Sequence, residues 1–425
     1  MSAAATTAGP AADARIPAAP DLARSVRRAA RPARRAAFLL ALPALLFLAL
    51  CFMAPIAALL SSAVANPETR AVLPDTLAAL RGWDGREAPG EAVFAALAGD
   101  LRRATEARTV TLAGKRLNYE LPGMRSRLLS AARMAAAAPA GPDGDPWRPR
   151  FLQSDRSWGD PATWQVIARN DAAWTPYYLL TALDLQRPPG GGIAAVPADA
   201  AIFLPVLGRT LGIAALVTLG TLLLGFPVAY AISLASPRAA RIMLLLVLLP
   251  LWTSLLVRST AWVVLLQTDG VINGALLALG LTEHRLQLIF SRIGTAAAMV
   301  HIQLPFTILP IYSVMRGIPA SQVQAARSLG ASALSAFWRV FVPQALPGVT
   351  AGCLITFILS LGYYITPALV GGPSDQMVSN FVSTFINRDL NWGLASALGA
   401  VLLLVTLALY GAFLRLAGAD RLRLG

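Results

Sequence analysis

Charge is scarce in this chain. Only 14% of its 425 residues are Asp, Glu, Lys or Arg, against about 25% in a soluble domain, which excludes a fold solvated on all sides. Lysine occurs once, at Lys115, among many arginines, a bias of composition rather than of chemistry. The two cysteines, Cys51 and Cys353, both lie inside apolar runs. That placement excludes a disulfide framework or a thiolate metal site and leaves each as a small core residue. A phosphate loop is missing too: Gly114-Lys115 continues as Arg116 and lacks the upstream glycine, so the chain does not bind ATP in that way. No nucleophile–base set, paired carboxylates or metal cluster has useful spacing. The expectation is a protein that is not an enzyme, with no catalytic residue, no metal and no cofactor of its own.

Apolar residues are abundant instead, at 56% of the chain, with a mean hydropathy of +0.59. Six runs are long enough to cross a bilayer, at roughly 36–64, 206–235, 239–266, 293–314, 347–370 and 393–417. The fold class is therefore an all-α membrane protein with six transmembrane helices. The first run is too long for a signal h-region and reads as an uncleaved span. The second and third are separated only by Ser236-Pro237-Arg238, a helical hairpin.

The net charge of +14 does not point to nucleic acid, because the excess sits beside the apolar runs, where it encodes topology. The tail before the first run holds Arg15, Arg24, Arg27, Arg28, Arg31, Arg34 and Arg35, and alternate connections hold Arg238 and Arg241, then Arg316, Arg327 and Arg339. The final tail adds Arg415, Arg421 and Arg423. Segments 267–292 and 371–392 are balanced or acidic. This pattern predicts both termini in the cytoplasm of a multi-pass membrane protein. Residues 1–35 are Ala-, Pro- and Arg-rich and are expected to be a disordered basic cytoplasmic tail with some attraction to anionic membrane lipid. Residues 419–425 form the second cytoplasmic tail.

Residues 65–205 differ from the rest, with 16 basic and 15 acidic side chains mixed along their length. They read as a large extracytoplasmic insert between the first and second spans. The stretch 93–138 is expected to be helical, the Pro/Gly clusters at 139–149 and 188–192 to be loops, and Trp158, Trp164, Trp174, Tyr177 and Tyr178 to gather in one subdomain. A partner-binding and a covering role both remain open for it.

One segment between apolar runs is written for water. Gln322, Gln324, Arg327 and Ser328 make a polar helical turn that Gly330 can end in the left-handed conformation. Leu334, Phe337, Trp338 and Phe341 then recur at i, i+3, i+4 and i+7, one apolar helix face, with Ser332, Ser335 and Arg339 opposite. Pro343 and Pro347 are expected to stop this second helix from running unbroken into the next span. Two short helices with a bend would thus sit on the cytoplasmic membrane surface at 321–343 and present polar side chains for docking.

The spans themselves contain no Asp, Glu or Lys, whereas ion-coupled carriers place such groups there. Arg209 is read as interfacial and snorkelling, and His301 as a hydrogen-bonded core histidine. Arg258 pairs with carbonyls or a neighbouring span, or else walls a transport path. Gly208-x-x-x-Gly212 and Gly348-x-x-x-Gly352 would let helices approach closely.

The docking segment resembles the Glu-Ala-Ala loop of binding-protein-dependent ABC importer permeases (the ABC transmembrane type-1 family). It reads Gln324-Ala325-Ala326, Gly330 and then Val340-Phe341-Val342-Pro343 at the family spacing, with Gln for Glu and Val for Ile and Leu. Leu249-Pro250-Leu251-Trp252-Thr253-Ser254, Arg258, Ala261-Trp262, Gly270-Val271-Ile272-Asn273, Leu304-Pro305-Phe306, Leu361 to Pro367 and Gly371-Gly372-Pro373 are similar to the spermidine/putrescine permease branch. The resemblance covers 206–418, which it makes a permease core. It implies that Gln324, Ala325, Ala326, Arg327, Gly330 and Pro343 couple the chain to an ATP-binding subunit dimer that carries the nucleotide. It also implies a second permease subunit, a related chain rather than an identical copy, and a periplasmic solute-binding protein. The solute is a small polar molecule, polyamine by preference, although permeases for opines, phosphonates and thiamine are also similar. Trp252, Arg258, Tyr363, Tyr364 and Asp375 are the path candidates, since a dication seeks aromatic faces and carboxylates. Two other classes compete: a single-chain carrier driven by an ion gradient, and a sensor whose working part is 65–205.

Overall fold

The computed structural model describes residues 36, 38–137, 146–188 and 192–416. The tails expected at 1–35 and 419–425 lie outside the described residues. Among those described, six helices are long and apolar enough to cross a membrane: Phe38–Ser62, Phe203–Leu234, Leu255–Ala278, Arg292–Arg316, Ala333–Gly362 and Trp392–Arg415. The chain divides into two compact units at Leu59 and Leu60.

The first unit is the apolar helix that begins near Phe38. It widens to a π-helical turn at Ala49–Met53, where the Ala54 N–H reaches the Ala49 carbonyl. The widening has a local cause. Pro55 would drive its ring into the carbonyl four residues back, and a π turn relieves that clash.

In the second unit, Phe203–Leu234, Arg292–Arg316 and Val342–Gly362 pack most extensively on one another. Glycines make the approach possible. A Cβ on Gly348 would lie 2.8 Å from the Pro310 carbonyl oxygen, and one on Gly352 2.8 Å from that of Thr307. Gly208 and Gly212 have nothing within 4 Å of an added Cβ, so the first small-residue motif makes no close approach among the described residues. A polar seam runs along the same contact. Thr307 and Thr356 share a hydrogen bond of 2.6 Å, and the Ser360 hydroxyl donates to Gln303 at 2.9 Å.

Two spans depart from the sequence expectation. The third was expected as one helix over 239–266. It is instead Pro237–Leu248, a 3-10 turn at Leu249–Trp252, extended residues at Thr253 and Ser254, and then Leu255–Leu266. Pro250 lacks an N–H, and the Ser254 hydroxyl accepts from the Val257 N–H at 3.2 Å, so the helix restarts there with its own cap. The membrane-length candidate accordingly shifts to Leu255–Ala278. The fifth was expected at 347–370, behind proline stops. The helix in fact runs from Ala333 to Gly362 and breaks only at Tyr363. A π turn at Phe337–Phe341 sits ahead of Pro343 just as Ala49–Met53 sits ahead of Pro55. Pro343 is therefore absorbed rather than obeyed.

Between the first and second spans, the stretch expected to be helical at 93–138 is three helices, Glu91–Glu106, Val110–Glu120 and Met124–Ala137. Phe94, Leu97, Leu101, Leu117, Met124 and Leu128 are buried together with Phe151, Trp158 and Trp164. The Phe94 and Trp164 rings meet edge to face at 4.8 Å. The expected aromatic gathering is split, because Trp174 is exposed while Tyr177 and Tyr178 pack with Phe203 and Leu394 of two spans. Of the loop expected at 139–149, Trp147–Ser154 is a helix with Pro149 in its first turn. Strands Leu185–Gln186 and Ala194–Ala195 pair antiparallel across the second Pro/Gly cluster.

This region is fastened to the spans by specific polar contacts. The Asp184 carboxylate accepts from the N–H groups of Ile202, Phe203 and Leu204 at 3.0, 3.0 and 2.7 Å. A carboxylate there satisfies the free donors and the positive end of the 32-residue helix that follows. Lys115 donates to the carbonyls of Asp389 and Leu390, just before the last span. Gly393 at its start lies directly against the Tyr178 ring.

Candidate functional site

Two places bring together the residues singled out by sequence. The first is the bend between Ala320–Ser328 and the helix that starts at Ala333. Gly330 takes φ +92°. The Gly330 N–H donates to the Arg327 carbonyl at 3.0 Å and the Ala331 N–H to the Ala326 carbonyl at 3.1 Å, the paired bonds of a Schellman stop. The Ser332 hydroxyl then accepts from the Ser335 N–H at 3.2 Å and caps the next helix. Gln324, Ala325, Arg327, Gly330 and Pro343 are exposed, and Ala326 is half-buried.

The apolar face read from the sequence divides in two. Phe337 and Phe341 stack on each other at 5.8 Å, and both meet the Tyr230 ring at 5.2 Å. Leu334 and Trp338 point away, 68% and 59% exposed, and Leu329 beside them is 89% exposed. The segment around the bend thus exposes Leu329, Leu334 and Trp338 together with the polar side chains Gln324, Arg327 and Arg339. Sequence reasoning placed Leu334 and Trp338 on the buried side. The spacing records which residues share a broad stripe, but only Phe337 and Phe341 reach the Tyr230 ring, and Leu334 and Trp338, interleaved with them, stay exposed.

The second place is the pair of helix breaks. Thr253 and Ser254 separate Pro237–Leu248 and its 3-10 turn from Leu255–Leu266, and Tyr363 and Tyr364 separate Val342–Gly362 from the short helix Ile365–Val370. Ser259, about one turn past the first break, and Thr366, two residues past Tyr364, share a buried hydrogen bond of 2.8 Å, so the two breaks belong to one locus. Arg258 lies there, close enough to both Tyr363 and His301 to act on them electrostatically. Its Nε and Nη1 are buried without a hydrogen-bond partner among the described residues. The Trp262 indole N–H donates to His301 Nδ1 at 3.1 Å. His301 is therefore hydrogen-bonded, as expected, but it is exposed rather than core. Trp252 is 73% and Tyr364 41% exposed.

Asp375 does not join them. It is 2% exposed and pairs with Arg292 at 3.1 Å. Arg209, expected to snorkel, donates to the Ser374 carbonyl next to it. A carboxylate held this way is structural, and the expectation that Asp375 faces a passing solute is corrected. Interrupted membrane helices that meet are a frequent design for a solute site, because the break frees backbone groups and directs helix ends inward.

Sequence reasoning missed Arg116, which is 2% exposed. It donates to Glu120 and to Asn66 at 2.8 Å each and lies over the Tyr177 ring at 4.8 Å. The only available signal was its i,i+4 spacing from Glu120; the partner from Asn66, fifty residues earlier, has none.

The family described as binding-protein-dependent transport system inner membrane component matches residues 213–423; region 65–202 lies outside that match. The chain is 31% identical over 208 residues to the spermidine/putrescine transport system permease protein PotB of Haemophilus influenzae, covering 48% of this chain and 73% of that protein. It is 32% identical over 199 residues to the protein of the same name in Escherichia coli, covering 46% and 72%. The inner membrane ABC transporter permease protein YdcU of Escherichia coli is 34% identical over 226 residues, 50% of this chain and 72% of that one.

Proposed function

Because the chain belongs to the family of binding-protein-dependent transport system inner membrane components, we propose that it carries a polyamine inward through the locus of its two helix breaks. It is a permease subunit of an ABC importer and a multi-pass inner-membrane protein, and a transport permease is not an enzyme. In the proposed arrangement both termini are cytoplasmic and residues 65–205 lie outside. A periplasmic solute-binding protein delivers the solute, a related second permease chain completes the path, and a separate subunit dimer binds ATP. That dimer grips the bend at 321–343. Gln324 and Arg327 supply polar contacts around an apolar centre of Leu329, Leu334 and Trp338, and Gln324 does so without the charge of the family glutamate.

The observation that carries the coupling part is this exposed apolar cluster on a capped, bent pair of helices, since exposed contiguous apolar surface marks an interaction site. Polyamine rests on the names of two relatives. The side chains add aromatic faces at Trp252, Tyr363 and Tyr364, but Asp375 is already paired with Arg292, and Asp269, within Leu255–Ala278, is paired with Arg285. The carboxylates that a polycation needs would come from the second permease chain.

Purification of tagged protein from its native membrane, with identification of what accompanies it, tests the assembly. Uptake of labelled putrescine and spermidine in cells, with and without ATP depletion, tests the solute. Co-purification of an ATPase, a second six-span chain and a polyamine-binding receptor is expected. Uptake by this chain alone in proteoliposomes, driven by an ion gradient, would overturn the reading in favour of a self-contained carrier.

A further inference from the structure

A cavity of about 380 Å³ opens where region 65–202 meets the start of the last span. Its walls include Glu68, Lys115, Arg116, Tyr119, Arg125 and Trp392, hence three cations and one carboxylate. Arg116 is buried, and while its Nε and Nη2 are bonded, its Nη1 has no hydrogen-bond partner among the described residues. A buried charged donor left unpaired suffers the full loss of its hydration. The Tyr119 hydroxyl and Glu68 Oε2 are likewise buried and unpaired. Burial pushes the Tyr119 phenol up to about 12, so at neutral pH it holds its proton and serves as a donor. Lys115 is tied to two carbonyls, which fixes its ammonium in place without neutralising it.

The position of the cavity narrows the ligand. Trp392 opens the apolar helix Trp392–Leu416 and is 50% exposed, and Leu390 before it is 62% exposed. A tryptophan at the end of a span marks the level of lipid headgroups. The N-terminal end of that helix adds partial positive charge on the same side. We propose that this cavity is a phospholipid headgroup site. It takes a phosphate against Lys115, Arg116, Arg125 and the Tyr119 hydroxyl, and a primary amine against Glu68. A phosphoethanolamine headgroup meets both demands, whereas a purely anionic headgroup leaves Glu68 unanswered and a choline presents no N–H to it.

The test uses the full-length protein, purified and placed in bilayers that contain phosphatidylethanolamine, phosphatidylglycerol or phosphatidylcholine, with retained lipid measured by native mass spectrometry. Wild-type protein is expected to retain phosphatidylethanolamine over the other two by about tenfold, the equivalent of one charge-assisted hydrogen bond. Glu68→Gln removes that preference over phosphatidylglycerol. Arg125→Ala, at an exposed position, weakens retention of both lipids to a similar degree. Inorganic phosphate at millimolar concentration leaves the lipid in place. Equal retention of all three lipids by wild type, an unchanged preference in Glu68→Gln, or displacement of the lipid by phosphate alone would each overturn the proposal.

Discussion

Replacing Gly330 with proline should abolish solute uptake while leaving the amount of protein in the membrane unchanged. Gly330 sits at φ +92°, and proline is locked near −65°. Its N–H, which donates to Arg327, would also be lost. Both defects act on one bend that is exposed and carries no buried residue on its first helix, so the spans have no reason to misfold. Gly330→Ala is the informative control. A Cβ there would meet open space, and the only cost is the left-handed backbone, about 1–2 kcal/mol. Uptake in the alanine variant should fall severalfold at most. Uptake and solute-stimulated ATP hydrolysis in membranes of equal protein content decide the matter: a proline variant that hydrolyses and transports normally would remove the bend from the coupling mechanism.

The second large effect is expected on the inner seam. Gly352→Val places a Cβ 2.8 Å from the Thr307 carbonyl oxygen and 3.3 Å from its Cα, and Gly348→Val meets Pro310, Ile311 and Val314 at 2.8 to 3.0 Å. Most of these atoms are backbone, so no rotamer change relieves them and the helices must part. Overpacking of this kind costs about 1–3 kcal/mol per site, and parting the helices also strains the Thr307–Thr356 hydrogen bond. The thermal midpoint of detergent-purified protein should drop in both variants. Gly208→Val, with nothing near its Cβ, should leave it unmoved. A Gly352 variant as stable as wild type would show that the two helices do not meet through this glycine.

The positions of the spans and the bend were legible because each rests on a local rule. Long apolar runs mark the bilayer, and a glycine after a polar turn marks a helix stop. The same locality explains the failures. Pro343 breaks an α-helix by rule, but the π turn before it is a property of a longer stretch that no single residue announces. Asp375 read as an available carboxylate because its partner, Arg292, is eighty-three positions earlier. His301 read as core from its apolar neighbours, although its ring lies on a face that the chain leaves open. Arg116, with ligands from three separate segments, could not be assembled from spacing at all. The residues named for coupling sit at or near one bend, whereas those named for the path divide into a locus around Arg258 and the Asp375–Arg292 ion pair.

The absorbed proline has one more consequence. From Ala333 to Gly362 the chain is a single rod of 30 residues, roughly 45 Å long at 1.5 Å per residue. One end projects Leu334 and Trp338, and the other stops at Tyr363 beside Arg258. The helix passes the π turn at Phe337–Phe341 and both Pro343 and Pro347 without a break, so a roll of Trp338 about the axis is expected to reach Tyr363. A fluorophore on each end should report rotations that keep step.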